Sequence, residues 1–168
     1  MIRIARAALA AAALGGCGYG FAVGGPGLPA GVERVYVPVF ENRSTEAEAG
    51  ALFAEALAHA LASAGHIGGA EAPARVEGTV LSVDAAPAAT GPDGRGVGIY
   101  RIAATVRLSL VDQGQVRCVR EIEGAEDFLP TADLLGIEAS RRQALRRLAE
   151  RLMHGASASL CPVVGDAG

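Results

Sequence analysis

The chain has 168 residues, 15 basic against 18 acidic side chains and a formal net charge of −3. Every basic residue is arginine, Trp is absent and aromatic residues make up 4% of the chain, so a cation-rich nucleic-acid surface and a stacking platform for bases or sugars are both excluded. The three cysteines and three histidines (His59, His66, His154) fall in no metal-ligand spacing, so no metal or other cofactor is expected.

The N-terminus reads first. Met1-Ile2-Arg3-Ile4-Ala5-Arg6 is a short cationic start, and Ala7 to Leu14 is an unbroken run of Ala and Leu. That run is far shorter than the ~20 apolar residues of a membrane-spanning helix. Leu14-Gly15-Gly16-Cys17 resembles the bacterial lipobox, in which the Cys thiol receives diacylglycerol before cleavage. Residues 1–16 are thus predicted to be a lipoprotein signal peptide and Cys17 the acylated first residue, an ordinary Ala-rich helix being the alternative. Cleavage would leave 152 residues, with 13 basic and 18 acidic side chains, enough for one domain with a core. The Gly- and Pro-rich stretch 17–31 suits a tether, residues 32–161 the domain, and 162–168 a flexible tail.

Val35, Val37 and Val39 alternate with Arg34, Tyr36 and Pro38, which predicts a strand near a sheet edge. Glu41-Asn42-Arg43-Ser44 reads as a turn. Thr45 and Glu48 have capping-box spacing, and Leu52, Phe53, Ala56, Leu57, Ala60, Leu61 and Ala64 form a helical stripe that Gly65 can close. A second strand is expected at Arg75–Val83, with Gly78 as a bulge, followed by a loop from Pro87 to Gly98. In the third strand Tyr100, Ile102, Ala104, Val106, Leu108 and Leu110 share one face, opposite Arg101, Thr105, Arg107 and Ser109. Asp112-Gln113-Gly114-Gln115 turns the chain into a fourth strand at Val116–Glu123. The last helix, about Thr131 to Leu160, carries Leu134, Ile137, Leu145, Leu148 and Leu152 along one side. This order predicts an α/β two-layer sandwich, two helices on one face of a four-stranded mixed sheet. A right-handed crossover makes the first two strands parallel, and turns make the rest antiparallel.

The segment Tyr36-Val37-Pro38-Val39-Phe40-Glu41-Asn42-Arg43-Ser44-Thr45-Glu46 resembles the signature of the LPS-assembly lipoprotein family, LptE. Glu77-Gly78-Thr79-Val80, Tyr100-Arg101 entering Thr105-Val106-Arg107-Leu108, Glu126-Asp127-Phe128 and the stretch from Ile137 to Leu145 agree with it in type and order. The resemblance runs from Cys17 to about Leu160. It implies a non-enzymatic lipoprotein held by its acyl chains, palmitate included, on the periplasmic side of the outer membrane. Such proteins plug the β-barrel LPS translocon, LptD, are needed for its assembly and bind lipopolysaccharide. No LPS-contact residue is carried over. Gly18 after the lipidated Cys, where inner-membrane retention commonly has Asp, favours outer-membrane sorting. Two other readings share the small tethered α/β plan: an auxiliary lipoprotein of an envelope ABC lipid-transport system, and a cell-wall synthase activator.

Catalysis has little support. There is no Gly-x-Ser-x-Gly elbow, and the Gly91-Pro92-Asp93-Gly94-Arg95-Gly96 stretch lacks the Lys-Ser/Thr of a phosphate loop. Glu126 and Asp127 are adjacent on a strand and so point to opposite faces. Among the helix arginines, Arg142 and Arg146 fall on one flank of the Leu stripe and Arg147 and Arg151 on the other, which reads as two solvated flanks rather than one phosphate patch. Arg141 lies within the stripe and needs a carboxylate, with Glu138, Asp127 and Asp133 as candidates. Cys118 and Cys161 are the thiols left after lipidation. In an oxidising compartment a disulfide is one reading, two separately packed free thiols the other.

Overall fold

The computed structural model describes residues 28–90, 97–131 and 133–161. The predicted signal peptide, Cys17, most of the tether, the 91–96 loop and the tail lie outside those residues. One mixed sheet holds β1 (Val35–Tyr36), β2 (Glu41–Asn42), β3 (Ala74–Thr90), β4 (Val97–Asp112) and β5 (Gln115–Phe128). Its order is β1-β3-β4-β5, with β2 also on β3. β1 and β2 run parallel to β3, and the β3–β4 and β4–β5 pairs are antiparallel. Helix α1 (Ala49–Ser63) connects β2 to β3, and α2 (Leu134–Ser157) follows β5. Both helices cover one face of the sheet, the expected two-layer sandwich.

The predicted first strand is cut short to β1, and Glu41–Asn42, read as part of a turn, pair with β3 as β2 instead. Pro38 has no N–H for a ladder, and the chain leaves the edge between Tyr36 and Glu41. Phe40 turns inward there and is 3% exposed. Its ring lies on Gly78, where any Cβ would overlap it, and its carbonyl lies against Gly50. Gly78 is therefore the seat of Phe40 and not a bulge; the register irregularity falls between Val80 and Ser82.

The predicted capping box does not form. Helix α1 begins at Ala49 behind Glu48, with no side-chain cap. The turn before it is held instead by Asn42, whose Oδ1 accepts from Ser44 N (3.0 Å) and Ser44 Oγ (2.7 Å) while its Nδ2 donates to Glu46 O at 2.7 Å. At the other end Gly65, with φ +77°, closes a Schellman motif: Gly65 N–H donates to Ala62 O and His66 N–H to Leu61 O, each at 2.9 Å.

The β3–β4 hairpin is longer than predicted. Pairing continues through Pro87↔Tyr100 to Thr90↔Val97, with an irregularity after Pro87. From Asp84 to Thr90 every β3 residue is exposed, so this part stands clear of the helices as an arm. With neither face of β3 covered there, the alternation of apolar residues that marks a half-buried strand is lost. The opposite hairpin turns through Gln113 (φ 49°) and Gly114 (φ 79°), the two left-handed residues of a tight turn matched to strand twist.

The core is formed by Val76, Val80, Ile102, Val106, Leu108 and Leu110 from the sheet and Phe53, Leu57, Leu61, Leu145, Leu148 and Met153 from the helices. Gly124 allows α2 to sit close, since a Cβ there would be 2.8 Å from Leu152. Leu134 departs from its expected stripe: it is 84% and Leu135 85% exposed, because α2 starts beyond the edge of the core.

Candidate functional site

Cys17, the predicted lipidation site, lies outside the described residues. Chain entry is nonetheless defined by Val32 and Val35, both buried, and by Val35 N–H donating to His66 O at 2.9 Å. The described chain therefore enters the body beside the C-terminal end of α1. Cys118 on β5 and Cys161 just past α2 are joined in a disulfide, with Cα atoms 5.7 Å apart. The bridge pins the end of α2 to an edge strand of the sheet, at the same end as Val35.

The Tyr36–Glu46 segment folds into the joint between sheet and first helix. Phe40 is the apolar plug of that joint and Asn42 its hydrogen-bonding hub. Glu46 reaches α2, where it pairs with Arg141. Glu138 takes the same guanidinium from the other side, at 2.9 Å to Nη2 and 3.1 Å to Nε. Arg141 is only 28% exposed, and these two carboxylates raise its pKa above the ordinary arginine value. Glu138 was a predicted partner; Glu46, 95 residues away in sequence, was beyond any local pattern. Of the other two candidates, Asp127 pairs with Arg101, and Asp133 caps α2 by accepting from Gly136 N at 2.7 Å.

Glu126 and Asp127 do point to opposite faces. Glu126 faces α2 and accepts from Arg147 (2.9 Å) and from Arg151. These hydrogen bonds, Arg147 first, hold its carboxyl below the usual range. On the open face, Arg101 forks onto Asp127 at 2.7 and 3.0 Å, which likewise lowers the Asp127 pKa.

The helix-free sheet face is a ladder of such pairs. Glu41, Thr79, Arg107 and Glu121 form one rung across β2, β3, β4 and β5. In it, Thr79 Oγ1 donates to Glu41 at 3.4 Å and Arg107 Nη2 to Glu121 at 3.0 Å. Arg43 also holds Glu41, lowering its pKa, and Arg75 pairs with Glu77 at 2.6 Å. Thr105 opposite Glu123 and Ser109 opposite Val119 complete the surface. Arg43, Arg75, Arg101 and Arg107 on this face are each paired with a carboxylate, and Val119, 55% exposed, is an apolar break in it.

Two hollows remain. A groove of about 710 Å³ runs between the outer sides of the helices over Leu52, Ala56 and Ala60, and brings together His59 and His154, which the sequence left scattered. A smaller hollow of about 360 Å³ lies at the far end of the sheet among Ile99, Phe128, Leu129, Ser140, Gln143 and Arg147. Among the described residues no cluster of His, Cys, Asp and Glu can hold a metal, and no helix is long and apolar enough to cross a membrane.

Comparison with known proteins bears on this arrangement. No curated protein sequence matches the chain. In three dimensions it is similar to a lipoprotein of Caulobacter crescentus, at TM-score 0.52 and 19% identity over 73% of this chain and 87% of that one. It is also similar to a subunit of the PelC dodecamer of Paraburkholderia phytofirmans, at TM-score 0.50 and 21% identity over 80% and 92%. At those identities the likeness establishes the fold. The family is established by sequence: the lipopolysaccharide-assembly profile LptE matches residues 32–154, and the chain belongs to that family.

Proposed function

We propose that this protein is an outer-membrane lipoprotein, anchored on the periplasmic side through acyl chains on Cys17, that occupies the lumen of the LPS translocon barrel and assists its assembly. Residues 1–16 are its signal peptide, 17–31 its tether and 32–161 its single working domain. The observation that carries this reading is the open sheet face. A large transmembrane barrel has a polar, wet interior, and a body lodged inside it must present a polar surface that does not strip charges of their partners. The rungs centred on Arg101–Asp127 and Arg107–Glu121 meet that demand, since each cation brings its own carboxylate. Several acyl chains together supply the stable anchoring that one chain does not. The role asks nothing of catalytic chemistry.

The test is depletion together with affinity recovery of the lipidated chain. Depletion is expected to lower both assembled barrel and surface LPS, and the tagged chain is expected to bring down a large outer-membrane barrel. Recovery of an inner-membrane transporter or a peptidoglycan synthase in its place would replace this reading. Normal LPS export after clean deletion, with no paralogue present, would overturn it.

A further inference from the structure

The sheet ends at β5. It is the last strand in the order β1-β3-β4-β5, so one side of it pairs with β4 and the other carries no strand among the described residues. Successive residues of an antiparallel strand turn their N–H and C=O groups alternately toward the partner and away from it. The Ala125 carbonyl accepts from Arg151 of α2 at 2.6 Å, off the β4 ladder, which places the backbone groups of Val119, Glu121 and Glu123 on the same outer side. There they make no hydrogen bond to any described residue. Arg117 is the extra residue of a bulge opposite Leu110 and Val111, so the regular edge begins at Cys118.

The side chains along this edge decide what can pair with it. On the open face β5 presents Val119, Glu121, Glu123 and Asp127, and no cation of its own. Glu121 and Asp127 are held by Arg107 and Arg101 of β4, while Glu123, opposite Thr105, has no ion pair among the described residues. Acyl chains offer nothing to free N–H and C=O groups, so lipid does not complete the edge. A second copy is no better. A twofold pairing centred anywhere from Glu121 to Glu123 sets acid against acid, and moving the centre to Val119 brings the Arg117 bulge into the ladder.

We infer that the Val119–Glu123 edge of β5 is a docking site for an extended segment of a partner protein, added to the sheet as a further strand. Its cations face Glu121 and Glu123, and an apolar residue faces Val119. The inference goes beyond the proposed function, because it concerns the edge of the sheet and not its open face. A strand in a closed barrel wall has no free edge to give, so the segment comes from a loop, a terminus or a soluble domain.

The peptide acetyl-Thr-Arg-Val-Arg-Thr-Val-Thr-amide, whose arginines meet Glu123 and Glu121 in an antiparallel pairing, tests this by amide hydrogen exchange on the full lipidated chain in detergent micelles. The expected result is slowed exchange at Val119, Glu121 and Glu123. Binding should be about tenfold weaker when Glu replaces both arginines, the scale of two cross-strand charge pairs reversed. No protection at those amides, or equal binding of the two peptides, overturns the inference. Protection that needs no peptide and grows with protein concentration assigns the edge to a second copy and overturns it too. Glu123→Arg is expected to leave the melting curve unchanged, since Glu123 is exposed, and to bring the two peptides to about equal affinity. An undiminished preference in that folded variant overturns the inference. In cells, a photo-crosslinking residue at Val119 should form an adduct that maps to a partner segment with Arg or Lys at alternate positions; an adduct only with lipid, or only with a second copy, overturns it.

Discussion

At the scale of single residues, Gly78 and Phe40 show how a short segment of sequence acquires its meaning. Phe40 can turn under the sheet edge because Pro38 ends β1, and it can lie flat because β3 offers it a bare backbone at Gly78. A side chain at position 78 must displace the ring or the strand. Gly78→Val is expected to destabilise the domain by about 1–3 kcal/mol, the range for overpacking a close-packed core. A denaturant titration measures it. A loss below ~0.5 kcal/mol would mean that Phe40 is not seated there.

At the scale of elements, what matters is how α2 is fastened to the sheet. Glu126 on β5 takes both Arg147 and Arg151, and the bridge from Cys118 to Cys161 pins the far end of the helix. The Glu126 carboxyl is held below its ordinary value when folded, so the unfolded chain takes up its proton first as acid is added. The stability it contributes is complete above the unfolded pKa of about 4.3 and disappears as pH falls through the lower folded value. Glu126→Gln is expected to cost about 1–2 kcal/mol at neutral pH, the scale of hydrogen bonds to a charged group. It should also flatten the acid limb of stability below about pH 5. Melting curves of the wild type and variant at pH 7 and pH 4 check both, and equal losses at the two pH values would assign the effect to packing. The disulfide closes a loop between residues 43 apart in sequence. On the chain-entropy account it is worth about 4 kcal/mol. Cys118→Ser with Cys161→Ser should lose most of that, and non-reducing mass spectrometry of the wild-type protein should find neither thiol free.

At the scale of the whole molecule, the two ends of the sheet differ in what they gather. Val32 and Val35, the C-terminal ends of both helices and the disulfide gather at one, and the hairpin arm and exposed leucines at the other. Cys17→Ala should abolish acylation and release the domain from membranes into the soluble fraction. Labelled fatty acid still incorporated into that variant would place the anchor elsewhere.

Much of this architecture is legible in the chain because it depends on local periodicity. The buried face of β4, from Ile102 to Leu110, follows from alternation alone, and the Schellman end of α1 follows from Gly65 after an apolar stripe. The separation of Glu126 from Asp127 is likewise a property of any strand. The family signature was also readable as letters, but its physical role was not. Phe40 on Gly78 and Glu46 on Arg141 join positions 38 and 95 residues apart, and no local period encodes which distant partner a side chain meets. The same holds for Thr45 and Glu48, whose spacing predicts a cap that Asn42 displaced by satisfying the turn before the helix began. Leu134 reads as core because a stripe shows which side of a helix is apolar, but not where along the helix the opposing sheet stops. Periodicity determines which face is buried; only tertiary structure decides how far the cover extends, and it left three leucines outside it.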